Sequence, residues 1–382
     1  MTEDDWKYYP PPESKGGWRV LKDPARIRSL GRVDPAKLQS AWECNVQAEA
    51  ETGSAQQKSL NPFDNRVIPK ASRSSVLVIR HGYVVAEWYQ NADEKTQWNI
   101  FSCTKSFTGT AYGMLFQDSV EGKLATDRHF DLSSSAYSYI PEGYPLTDPR
   151  KEQIEIRHLL TMTSCIKGED AGVFGLHPSE SSAPFELALG RCPTVEGVWV
   201  SELWGKPGTK WDYSDPAFAH LALVFCKLVG MELGDYMKRR LFDPIGIENI
   251  LWDCVGGRKG TIGPHTLPNG GIHMSSRDLA RFGYLALNHG VWTGHQIVPR
   301  RWMEMATQTS QSLNKDYGYT WWANTQGTLW QGAPRDTFAA MGFKSNKCYV
   351  IPSLDLVVVR VGDGPWPWDD GDFLRKVVAS VL

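Results

Sequence analysis

Two blocks of β-forming residues, one near each end of the chain, constrain the fold more than anything between them. Residues 75–89 (SVLVIRHGYVVAEWY) are two apolar, β-branched runs joined at Arg80-His81-Gly82, the pattern of a hairpin. Residues 347–351 and 356–361 read as two further strands joined by Pro352-Ser353-Leu354-Asp355, with a closing helix over about 370–382. Between the blocks lie helical patterns at 279–288 and 302–307 and a helix-and-loop stretch punctuated by Pro, Gly and Ser. This order predicts an α/β (α+β) fold: one antiparallel sheet built from both chain ends and flanked by helices, with an inserted, mostly helical subdomain. Residues 71–115 plus 241–382 form the expected sheet domain and 116–240 the helical subdomain, one unit with a cleft between its parts. Residues 1–70, rich in Pro, Gly, Ser and charge, read as an N-terminal extended arm with a helix-like patch around 35–50.

Several function classes are disfavoured at once. A net charge of -2 over 382 residues gives no electrostatic case for nucleic acid or an anionic membrane as partner. The start, Met1-Thr2-Glu3-Asp4-Asp5, is acidic with no apolar segment behind it, and no run approaches a membrane-spanning length. A cytoplasmic protein is expected. Seven cysteines without a Cys-x-x-Cys pair fit free thiols in a reducing compartment. His-Glu-x-x-His, Gly-x-Ser-x-Gly, Walker and Gly-x-Gly-x-x-Gly motifs are all missing, and the nine histidines include no close metal-ligand pair. Neither metal nor cofactor is expected.

The chemistry-bearing stretch is Ser102-Cys103-Thr104-Lys105, followed by a small and apolar run to Phe116. A serine three residues before a lysine shares its helical face, so the ammonium reaches the hydroxyl. Serine is a poor nucleophile at neutral pH and needs such a base beside it. The helix N-terminus adds N–H groups where an oxyanion forms. Two more Ser-x-x-Lys matches read differently: Ser164 to Lys167 as the exit of a helix, and Ser312 to Lys315 as surface. Cys103 reads as structural, its side chain off the reactive face.

A second constellation is Tyr213-Ser214-Asp215, between Pro207-Gly208 and Pro216. Tyr213 reads either as a proton-transfer group whose phenolate a lysine would favour, or as a tyrosine capping a turn. Ser102-x-x-Lys105 followed by Tyr213-Ser214-Asp215 resembles the β-lactamase and penicillin-binding-protein superfamily, specifically its class C-like serine hydrolase branch. The segments 156–164 (IRHLLTMTS), 242–247 and 270–282 match that branch too, in the right order from about residue 72 onwards.

The resemblance implies a β-lactamase-like fold with Ser102, Lys105 and Tyr213 as catalytic residues, and the backbone N–H groups of Ser102 and Phe343 as oxyanion donors. The family's Lys-Thr-Gly or His-x-Gly strand edge falls at Ala340-Met341-Gly342, so its cationic or polar first residue is replaced by Ala340. Asp215 stands where many lactamases carry Asn. Both departures point from penicillins towards a small ester or amide substrate, as in the branch's esterases, D-amino-acid amidases and 6-aminohexanoate-dimer amidases. Ala340, Gly342 and Asp215 are then substrate-binding candidates. So are Trp199 and Trp204, which among sixteen tryptophans lie in the loop leading to Tyr213. His158 and His273 read as hydrogen-bonded scaffold. An acyltransferase using the same acyl-enzyme, and a penicillin-sensor-like module that acylates once and stalls, are the alternatives; a homodimer is allowed for.

Overall fold

The two terminal β blocks meet at the centre of one sheet. A computed structural model describes residues 7–43, 73–124, 129–179, 183–363 and 369–382. The main sheet has strands β1 (Arg19–Val20), β2 (Ser74–Arg80), β3 (Tyr83–Gln90), β4 (Trp322–Ala323), β5 (Phe338–Gly342), β6 (Asn346–Ile351) and β7 (Leu356–Gly362), ordered β1-β3-β2-β7-β6-β5-β4. All neighbours are antiparallel except β1 and β3. β2 and β7 are buried along their whole length, which suits their near-continuous β-branched sequence: both faces are covered.

Period-2 alternation sorts their side chains into two cores. Leu77, Ile79, Val357 and Val359 face the larger one, which runs on through the helices α1 (Thr104–Val120), α2 (Asp215–Val229) and α3 (Ser276–Leu287). Val76, Val78, Leu356 and Val358 face the other, closed by α4 (Asp370–Ala379) and by Leu21, Ile27, Val33, Leu38 and Ala41. The described part of the N-terminal stretch therefore wraps the sheet instead of standing apart from it. Arg281, fully buried on α3, anchors it: the guanidinium donates to the carbonyls of Pro10 (2.7 Å) and Pro11 (2.6 Å) and to Glu13 (2.7 Å). Residues 35–43 are helical, while the rest of the expected 35–50 patch, the remaining residues of the 1–70 stretch and Cys44 fall outside the described residues. The other six cysteines are free thiols.

α1 runs unbroken past residue 115, so the expected boundary at 115/116 falls inside a helix that serves both parts. It is buried nearly all round, and two glycines allow its neighbours to approach: a methyl at Gly109 would overlap Thr320, and one at Gly113 the Trp302 indole. Among the described residues, no single helix is long and apolar enough to cross a membrane.

α2 carries a buried histidine into the core beside the cleft. His220 shares hydrogen bonds of 2.9 Å with the Tyr137 hydroxyl and the Pro216 carbonyl. Burial, with the nearby Lys151 ammonium, pushes its pKa down to about 4. The unfolded chain takes up a proton there at about 6.5, so protonation favours unfolding. Stability from this group is intact above about pH 6.5 and declines towards pH 4, by at most about 1.4 kcal/mol per pH unit. Urea midpoints measured between pH 7.5 and 4.5 should fall accordingly, and the fall should be shallower in His220→Asn.

Candidate active site

A tight turn, not a regular helix start, presents the serine. Phe101–Cys103 form one 3₁₀ turn between the short strand Trp98–Asn99 and α1. Phe101 has φ of 48°, unusual for a non-glycine residue, and its N–H is held by the Asn99 side chain at 2.9 Å. From the other side β5 presses on the turn through Gly342, where a methyl would overlap the Ile100 carbonyl oxygen. The glycine lets the strand edge lie directly against the backbone that carries Ser102.

Lys105 follows one turn later, its side chain 1% exposed. Its Nζ donates to Ser102 Oγ at 2.8 Å and to the Asn269 carbonyl at 3.1 Å, and lies 2.6 Å from Asp215 Oδ1. Tyr213 and Asp215 reach this point because Ser214 caps α2. Its Oγ accepts the Ala217 N–H at 3.1 Å, which makes Asp215 the first helical residue, with Pro216 fitting the first turn. Tyr213 lies beside Ser102 and Lys105, with Lys105 Nζ 4.7 Å from the centre of its ring and the Ser102 hydroxyl near enough to pull its pKa down.

The expectation that lysine would favour the phenolate needs correction. Burial raises the Tyr213 pKa well above the usual phenol range and the Asp215 carboxylate raises it further, against a smaller pull from Ser102. Asp215 offsets the ammonium's field, so at rest Tyr213 is a neutral phenol. Sequence alone does not reveal that both charges converge on one tyrosine.

These groups open into a cleft of about 1600 Å³, lined by Ser102, Tyr213, Asp215, Gly342 and Phe343 among others. Its aromatic wall is not the expected one. Trp211 and Trp322 line it, with Trp322 stacked on Tyr213 (6.1 Å between centroids) and Tyr317 edge-on behind (5.1 Å from Trp322). Trp199 and Trp204 do not reach the cleft. Their loop runs outside the 161–167 turn, with Trp204 N–H bonded to the Cys165 carbonyl; Trp199 is 48% exposed and Trp204 lies under the Lys210 ammonium. Ala340 is also displaced from its expected role: it is fully buried in the core opposite Cys348, its single methyl too short to reach the cleft.

Charged groups missed from sequence line the cleft instead. Lys344 and Lys347 follow the motif position that Ala340 occupies, and Glu169 and Asp170 also line the cleft. The acids are placed by Asp212, whose carboxylate accepts the N–H groups of Gly168 (2.6 Å) and Asp170 (3.0 Å), while Glu169 N–H bonds the Tyr213 carbonyl (2.9 Å). The signal was their place right after the 156–164 segment. Ser312 and Lys315 are exposed, and Cys103 is buried with Sγ on the Asn346 carbonyl. His158 completes a capping box with Glu155, and His273 lies 3.6 Å from the Asp253 carboxylate.

A family model described as Beta-lactamase matches residues 65–378. The 6-aminohexanoate-dimer hydrolase of Paenarthrobacter ureafaciens is 23% identical over 311 residues, covering 76% of this chain and 72% of its own. Lovastatin esterase of Penicillium rubens is 28% identical over 225 residues, 52% of each chain. Among solved structures EstCE1, a hydrolase with promiscuous acyltransferase activity, matches with a TM-score of 0.62 over 91% of this chain and 98% of its own. At 14% identity that is a likeness of fold.

The Gly342 contact yields a direct prediction. Gly342→Ala has to push β5 and the Ser102 turn apart, and misplacement on the order of 1 Å costs about 10² in rate. Labelling of Ser102 by a fluorophosphonate, followed by intact mass, should slow by about that factor while the circular dichroism stays native.

Proposed function

The chain belongs to the β-lactamase family, and on that premise we propose that it is a serine hydrolase that cleaves a small ester or amide through an acyl-enzyme on Ser102. One observation carries this reading: Ser102 Oγ, at the cleft, accepts a hydrogen bond from the buried Lys105, and the neutral phenol of Tyr213 lies beside that pair, its ring centre 4.7 Å from Lys105 Nζ. The hydrolase and esterase named among its relatives support the class.

In the reactive state Lys105 is an amine and takes the proton of Ser102 as Oγ bonds to the acyl carbon. The oxyanion rests on the N–H groups of Ser102 and Phe343. As the tetrahedral adduct collapses, Tyr213 gives its proton to the leaving alcohol or amine, and the phenolate so formed stands beside the new Lys105 ammonium. Deacylation reverses the pattern. The Tyr213 phenolate takes a proton from water, the hydroxide attacks the ester, and Lys105 returns its proton to Ser102 Oγ.

A second reading is acyl transfer to an alcohol or amine in place of water. It is favoured by the size of the cleft, larger than a small acyl group needs, and by the activity named for EstCE1. Product ratios with added acceptor separate the two.

Exposure to a fluorophosphonate and to a panel of activated esters and amides should leave one covalent adduct in the wild type and none in Ser102→Ala. Steady turnover by Ser102→Ala would falsify the assignment; a burst without turnover would instead mark a stalled acyl-enzyme. Tyr213→Phe should lower kcat by about 10² to 10⁴. Lys105→Arg keeps the charge but loses the base, and should be inactive.

A further inference from the structure

Away from the cleft floor, three donor atoms from two stretches of the chain converge on one point. Cys226 lies near the end of α2, Glu232 just before the short helix Leu233–Met237, and His265 on the strand His265–Thr266. Among the described residues they are the one group of His, Cys, Asp or Glu whose donor atoms come together in this way. Cys226 Sγ is 3.3 Å from Glu232 Oε1 and 3.5 Å from His265 Nδ1; Nδ1 and Oε1 are 2.9 Å apart. Zinc bonds of about 2.3 Å to sulfur and about 2.0–2.2 Å to nitrogen and oxygen give tetrahedral edges of about 3.3–3.6 Å. The triangle already has nearly the size of one face of that tetrahedron.

The surroundings hold the donors in place. Glu232 Oε2 accepts the Thr266 N–H (2.7 Å) and hydroxyl (3.1 Å), which leaves Oε1 aimed at the other two ligands. The side chains of His265 and Glu232 are 22% and 31% exposed, open enough for an ion to enter. A nucleophilic triad is the other chemistry such residues suggest, and the geometry opposes it. A relay needs the two ring nitrogens on different partners, whereas here the single atom Nδ1 meets both Cys226 and Glu232.

We propose that Cys226, Glu232 and His265 form a binding site for a borderline-soft divalent cation of the zinc class, with water as fourth ligand. Binding breaks the Cys226 S–H bond and forms a metal–sulfur bond, releasing one proton to solvent; the His265 proton moves from Nδ1 to Nε2. Thiolate, carboxylate and neutral imidazole then balance the 2+ charge. Spacings of 6 and 33 residues hide this site from a search for close ligand pairs. Its consequence reaches the cleft. The segment 253–271 includes the cleft-lining Val255 and Leu267 and ends near Asn269, whose carbonyl holds Lys105, so the ion clamps that wall to α2.

The test is titration of the full-length, metal-free protein with Co²⁺ alone, read as the near-ultraviolet thiolate-to-metal charge-transfer band, then displacement by Zn²⁺. One equivalent per chain should bind to the wild type and to Cys254→Ser, while Cys226→Ala and His265→Ala weaken binding at least about tenfold. Zn²⁺ should raise the Tm of the wild type and leave that of Cys226→Ala unchanged. Wild-type titration without the band would overturn the proposal. So would binding that survives in both Cys226→Ala and His265→Ala, or that disappears in Cys254→Ser, which would assign the ion to the exposed Cys254 thiol.

Discussion

A buried ammonium is the constraint around which this site is organised. Leaving a lysine charge in the interior without partners costs several kcal/mol, on the order of what a whole domain has to spare. Lys105 meets that demand with groups from separate parts of the chain: Ser102 on its own turn, the Asn269 carbonyl, and Asp215 at the start of α2. Each partner must be in place for the charge to be tolerated, so the demand that keeps Lys105 buried also fixes the nucleophile and the tyrosine. Structure and reactivity here share one set of contacts. Asp215 has a cost as well as a benefit, since the carboxylate that steadies the ammonium adds to the burial that keeps Tyr213 a phenol.

The features legible in sequence were those set by short-range pattern. Short apolar, β-branched runs bounded by turn residues placed β2, β3, β6 and β7, because that composition is local to each strand. Ser102 and Lys105 were legible because three residues along a helix is a fixed distance, and Tyr213 because the resemblance supplied a partner motif a hundred residues on. Elsewhere the reading failed where a loop's path decides what it touches. Trp199 and Trp204 are as aromatic as Trp211 and Trp322, yet backbone bonds to the 161–167 turn carry their loop outside the cleft. Ala340 kept its place in the motif but not its reach. Lys344, Lys347, Glu169 and Asp170 went unnoticed because charged residues are common on any surface, and only the fold shows which ones border a cavity.

The cleft that results carries ionisable groups of both kinds, two of them muted. Lys344 and Lys347 lie with the β5–β6 edge, where Lys347 is buried and paired with Asp370 at 3.6 Å. Glu169 and Asp170 lie with the turn bonded to the Tyr213 loop, where burial and the Asp215 carboxylate push the Glu169 pKa up to about 7. Ser102 lies among them, beside a lysine whose charge is largely offset by Asp215. A neutral ester or amide bond is the group such a centre accommodates with least electrostatic penalty, while the flanking charges act on whatever substituents the acyl and leaving groups carry.

The pairing of β2 with β7 has a consequence for how the molecule is made. The two strands at the centre of the sheet are separated by some 280 residues of chain, from Arg80 to Leu356. While the ribosome works through the intervening helices, the hairpin of β2 and β3 waits with an unsatisfied edge and two apolar faces. Its permanent neighbour emerges only after those helices, and the N-terminal wrap gains its full footing only when α3 and β7 exist. Synthesis thus leaves a long interval in which a sticky strand edge is exposed to other nascent chains. High expression rates should therefore burden solubility of this protein well before they exceed the stability of its finished fold.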